Sequence, residues 1–167
     1  MKKLITYCII SMFLFILPIQ AAKAEVVDKE KKNSIEAQLK QKNELIRDKT
    51  IKVNKLNIQI EKKGEELGEL IPMIFTGELI LSDDNINQFQ DKQIEIMKSL
   101  VKLDKIEKNI KKHKSQLRID LDKKDYKNAL SQYDKINSLL DKEENILKTY
   151  VKDLQYFIDL IKSMQNK

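Results

Sequence analysis

The stretch LKQKNELIRDKTIKVNKLNIQIEKKGEEL, residues 39–67, decides the fold. Leu39, Ile46, Val53, Ile60 and Leu67 recur every seven residues, and all are aliphatic. A companion row runs beside them at the same spacing: Ile35, Lys42, Lys49, Leu56, Lys63 and Leu70. Two such rows form the apolar seam of a helix that packs lengthwise against others. The three lysines make this seam imperfect. Ile51 and Ile58 form a second, weaker stripe. Asn33 and Glu36 have the spacing of a capping box, and the pattern predicts a helix over residues 29–71.

Downstream, the apolar stretch LIPMIFTGELIL, residues 70–81, interrupts the repeat. Pro72 removes an amide donor and disfavours helical geometry at Ile71. Gly77 permits a turn. Ser82, Asp83 and Asp84 then offer a cap and a negative first turn, which the positive end of a helix dipole favours. The chain is expected to reverse across this hinge, residues 72–82. A second helix follows over 84–121, with Ile86, Phe89, Ile96, Leu100, Leu103, Ile110 and Leu117 on its seam, and Glu107 and Lys114 weakening it. Asp104/Lys108 and Glu107/Lys111 stand four apart with the acid first, the better orientation. After Asp122-Lys-Lys-Asp125, in which Asp125 can cap, a third helix is predicted over 125–165. It is the most apolar, carrying Ala129, Tyr133, Ile136, Leu140, Leu147, Leu154, Phe157 and Ile161, with Tyr126, Leu130, Val151 and Ile158 widening the face. A stripe that wide sits against two neighbours. Matched lengths and short connections point to an all-α, elongated antiparallel three-helix coiled-coil bundle. The alternative is a long two-helix hairpin with the third helix placed elsewhere.

Upstream, Met1-Lys-Lys3 precedes an apolar run from Leu4 to Ile19, and Ala22-Lys-Ala24 has the small-x-small form of a cleavage site. This is the pattern of a secretory signal peptide over residues 1–24. The run is shorter than the roughly 20 residues of a membrane span. Cys8 lies inside it, without the setting of a lipid-modified cysteine. Cleavage leaves residues 25–167 as a single helical domain with no cysteine and a net charge of +3, because Lys2, Lys3 and Lys23 go with the leader. The expected location is outside the cytoplasm, secreted or in the cell envelope.

Composition narrows the chemistry. Among 167 residues there are three glycines, one cysteine, one histidine and no tryptophan. No phosphate-cradling glycine motif occurs, and a cysteine-based metal site is excluded. Basic and acidic residues are interspersed, the pattern of solvated helix faces rather than of a nucleic-acid footprint. The densest basic patch is Lys108, Lys111, Lys112 and Lys114, read as solvated surface with weak attraction to anionic polymers or headgroups. His113 has no nucleophile at a recognisable spacing and reads as a surface histidine. Glu65/Glu66, Asp83/Asp84 and Glu143/Glu144 are adjacent in sequence, so on a helix they diverge. Residues 82–87 lack the glycine of a calcium-binding loop. Tyr126, Tyr133, Tyr150 and Tyr156 follow helical spacing, as core residues do. No catalytic residue, metal, cofactor or small-molecule substrate is therefore expected.

One family resemblance stands on residues 35–115. The segment Ile60-Glu-Lys-Lys-Gly-Glu-Glu-Leu67, followed by Phe75-Thr-Gly77, Leu79-Ile-Leu-Ser82 and Phe89, resembles the helical regulatory domain of secreted peptidoglycan hydrolases and of the activators of such hydrolases. The catalytic domain of that family has no counterpart in these 167 residues. The resemblance implies a binding or regulatory module docking on a membrane-embedded partner. The expectation is a non-enzymatic, exported protein-interaction module with an envelope protein or a second copy as partner, no nucleic acid, and weak membrane contact. Met73, Ile74, Phe75, Leu79 and Ile80 in the apolar hinge are the candidate contact, against the alternative that they pack the bundle end. An exported holdase or carrier and a membrane-active helical effector are the competing readings.

Overall fold

The computed structural model describes residues 2–76 and 82–165, with side chains described over 32–74, 76 and 82–164. Three helices make it up: α1 (Lys2–Phe75), α2 (Asp83–Asp122) and α3 (Tyr126–Gln165). Among the described residues there is no strand. α2 and α3 hold 40 residues each, about 60 Å of helix.

The chain divides into two compact units, Met1–Gln41 and Lys42–Lys167. In the first, α1 is helical from Lys2 onward. Of its described side chains, Ile35 and Leu39 are half-buried and the others exposed. The expected capping box at Asn33 and Glu36 is corrected here: both lie inside an unbroken helix, whose start precedes residue 29. The expected leader, residues 1–24, lies outside the described side chains.

The second unit is the bundle. α1 and α3 run parallel, because Lys42 pairs with Asp134, Lys49 with Asp141 and Lys63 with Gln155, each partner 92 positions further along. Lys162 and Glu66 extend the same seam at 2.6 Å. α2 runs against α3: Gln88 meets Tyr156, Lys92 meets Asp153 and His113 meets Gln132, so numbers that rise on one helix fall on the other. The order is up-down-up, and the hairpin-plus-one alternative is set aside because α3 packs against both other helices.

α3 is the central element, as its wide stripe requires. Ala129, Ile136, Ile158 and Ile161 are 0% exposed. Val53 of α1 and Ile110 of α2 close on Ile136, Leu140 and Leu147 in one cluster, with Ile46, Leu56, Ile60, Leu103, Ile106 and Leu117 packed around it. Truncating a buried aliphatic residue of this kind costs about 2–5 kcal/mol. Towards the other end, the Phe89 and Phe157 rings meet with centroids 4.3 Å apart.

The caps set the boundaries. Ser82 is extended, and its hydroxyl accepts from the Asn85 amide at 3.3 Å. Asp83 and Asp84 follow in the first turn. At the start of α3, the Asp125 carboxylate accepts from the Asn128 amide at 3.2 Å. α2 ends in a Schellman-type turn: Asp125 N–H donates to Asp120 C=O and Lys124 N–H to Leu121 C=O, with Lys124 in the left-handed region at φ 57°. α1 ends four residues beyond the predicted 71. Pro72 sits in its last turn, and its carbonyl accepts from the Thr76 amide at 2.9 Å. The donor that Pro72 lacks would have reached the carbonyl of Gly68, which is exposed and can be hydrated, so the helix continues one more turn.

Candidate functional site

The predicted contact in the hinge is only partly in view. Met73 and Ile74 are half-buried in the last turn of α1, where the Thr76 hydroxyl donates to the Met73 carbonyl at 3.3 Å. The side chain of Phe75, and residues Leu79 and Ile80, lie outside the described residues.

A different apolar surface is exposed on α2. Ile94, Met97 and Val101, spaced i, i+3, i+7, are 52%, 60% and 55% exposed. The α2 residues that bury against α3, such as Ile96, Leu103 and Ile110, occupy the opposite face. α1 carries a smaller outer pair, Ile51 and Ile58. That pair was legible as the second stripe. The α2 stripe was missed because Ile94, Met97 and Val101 fall between the seam positions; their own helical spacing was the available signal.

Two open grooves flank the core. One, of about 500 Å³ between α2 and α3, is lined by Asn109, His113, Ser131, Asp134, Lys135, Ser138, Leu139 and Lys142. His113 is therefore half-buried rather than on the solvent face, and its Nδ1 lies 2.8 Å from Gln132 Oε1. The other, of about 420 Å³, lies between α1 and α2 over Tyr133 and Ile136, with Ile46, Leu117 and Leu121 as apolar walls, Lys114 and Arg118 as cations and Asp122 as an acid. Burial raises the phenol pKa of Tyr133.

Charge inside the bundle is unevenly matched. Lys92 bridges Glu95 at 2.8 Å and the buried Asp153 at 2.9 Å. Its hydrogen bond to Glu95, then that to Asp153, raises its pKa, and the same contact lowers that of Glu95. Glu143 has no such partner. Burial first, and the Glu107 carboxylate second, raise its pKa against a weaker pull from Lys114. Asp104 and Lys108 pair at 2.7 Å as expected, whereas Glu107 and Lys111 make no ion pair. Among the described residues, no group of three or more His, Cys, Asp or Glu side chains is placed to hold a metal ion. Among them, too, no helix is long and apolar enough to cross a membrane.

No family model, curated protein or solved structure matches the chain.

Proposed function

We propose that this chain is a non-enzymatic, exported helical module that docks an amphipathic helix of a protein partner in the cell envelope. The observation that carries the reading is the outer stripe of α2. Ile94, Met97 and Val101 stand in the spacing of a helix–helix seam and have no counterpart within the bundle. A helical partner covers such a stripe by laying its own apolar face along it. The leader-like first 24 residues support an envelope location. The resemblance to regulatory domains of wall hydrolases supports a regulatory or scaffolding role. The hinge residues Met73, Ile74, Phe75, Leu79 and Ile80 form the competing contact.

The test places a photo-crosslinking methionine analogue at Met97 and, in a second preparation, at Met73 of the exported protein. A discrete envelope adduct is expected that disappears in Ile94→Asp/Val101→Asp while helicity and Tm stay unchanged. An adduct that survives those substitutions but vanishes in Phe75→Asp/Ile80→Asp would move the contact to the hinge. No adduct from either surface would defeat the reading.

A second reading, a carrier of an apolar acid, has one observation in its favour: the α1/α2 groove, with apolar walls and the cations Lys114 and Arg118. Saturable binding of a fluorescent fatty acid that is lost in Tyr133→Trp, which fills the groove floor, would establish it.

A further inference from the structure

We propose that the polar groove between α2 and α3 is a binding track for a flexible linear phosphate polymer. Between residues 98 and 152 the chain carries 15 basic and 9 acidic side chains, a net +6 that equals the formal charge of all 167 residues. Four of those acids are already neutralised: Asp104 by Lys108, Asp134 by Lys42, Asp141 by Lys49 and Glu144 by Lys148. Asp134 is the one acid that lines the groove, and its partner comes from α1.

The cations beside the groove are not used by the fold. Lys135 and Lys142 line it and are exposed. Lys102, Lys105 and Lys112 stand seven, four and three residues from Asn109, on the same face of α2. Among the described residues, none of these five enters an ion pair. Between the two banks the groove presents polar hydrogen-bonding groups: Asn109, His113, Ser131 and Ser138.

This arrangement selects its ligand. Lysine ammonium groups are compact point charges with rotatable donors, which pair with phosphate oxygens without the fixed fork geometry that arginine imposes. Arg118 lies in the other groove. No Phe, Tyr or Trp ring lines this one, so it offers nucleobases no broad stacking platform. Its openness on one side admits a chain passing along the helices rather than a closed small molecule. Unlike the outer stripe of α2, the groove requires no protein partner, so the proposal holds whether or not the docking reading does.

The test uses the full chain and linear inorganic polyphosphate, followed by fluorescence anisotropy. Neutralisation of about four lysines gives a log K against log [salt] slope of about −3. Lys135→Gln/Lys142→Gln is expected to weaken binding about tenfold at low salt with helicity unchanged. The control Lys55→Gln/Lys62→Gln, on exposed positions of α1, is expected to leave it unaltered. Ser131→Val/Ser138→Val removes the hydroxyls without touching charge and is expected to weaken binding more than it changes the salt slope. Equal losses in the groove and control pairs would mean diffuse attraction and overturn the proposal, as would no binding. Equal affinity for polyglutamate would overturn the choice of phosphate. Tighter binding to phosphatidylglycerol vesicles than to free polymer would assign the lysines to a membrane surface instead. Preference for a single-stranded oligonucleotide at matched charge would replace backbone recognition with base recognition.

Discussion

The two seams that α3 makes are polar in opposite ways. Against α1, the polar positions are Lys42, Lys49 and Lys63, whose long stems lie along the seam while the ammonium groups reach partners near the surface: Asp134, Asp141 and Gln155. Against α2, the buried polar residues are the short carboxylates Asp120, Glu143 and Asp153. A carboxylate cannot reach water from a buried backbone position, so it needs a local partner. Asp153 has Lys92. Asp120 accepts from Gln116 on one oxygen, while its other oxygen is buried without a partner. Glu143 faces another acid, Glu107. Long cations therefore set register in a seam at little cost, and short anions in the same kind of seam are a liability unless a cation is supplied.

The largest expected effect falls on what the seams share. Ile136→Ala, in the middle of α3, should destabilise by about 3–4 kcal/mol in denaturant unfolding, and Val53→Ala on α1 by about half as much. Next come the acids. Asp153→Ala removes a buried partner from Lys92 and should cost about 2 kcal/mol, whereas Asp141→Ala at an exposed site should cost no more than about 0.5 kcal/mol. Equal losses would break the comparison.

The α1 seam offers a sharper contrast. Replacing Lys42, Lys49 and Lys63 together with Leu should raise stability by about 1 kcal/mol per site while producing mixed registers or oligomers on size-exclusion chromatography. A single species would show that the lysines do not specify register.

Glu143 adds a pH dependence of definite sign. Its folded pKa lies above the ordinary glutamate value of 4.5. Below 4.5 both folded and unfolded states hold the proton, and the group is neutral in effect. As pH rises, the unfolded chain ionises first, so folding loses stability until the folded carboxyl ionises as well; above that point the penalty is constant. Glu143→Gln should therefore be more stable than the parent at neutral pH, and the two melting curves should converge in acid. A small gain is expected at the α2–α3 turn. Lys124→Gly relieves a left-handed residue at φ 57° and should add about 0.5–1 kcal/mol.

Much of this fold was legible one dimension at a time. α2 and α3 begin and end within one residue of their predicted limits because Ser82 and Asp125 are local caps whose chemistry is written beside them. The wide apolar face of α3 announced two neighbours. Pro72 was read as a stop, but the acceptor it deprives belongs to the exposed Gly68, and the helix ran on. The lysines of the α1 seam read as defects because their partners lie 92 residues away, and a seven-residue repeat contains no information about which helix faces it. The half-burial of His113 was hidden for the same reason, since Gln132 belongs to the next helix. Surfaces were the least legible. The α2 stripe and the α2/α3 groove emerge only once the seam residues have been assigned and the remaining side chains can be placed on a face.

Both surfaces depend on the register of α3 between its neighbours, so that register is the most direct thing to measure. In a Cys8→Ser background, Lys42→Cys/Asp134→Cys and Glu66→Cys/Lys162→Cys should each be joined within the monomer by a short bis-maleimide, and Lys42→Cys/Lys162→Cys should not. Efficient joining of the last pair, with the first two left open, would mean that α1 and α3 run in opposite directions and would contradict the arrangement.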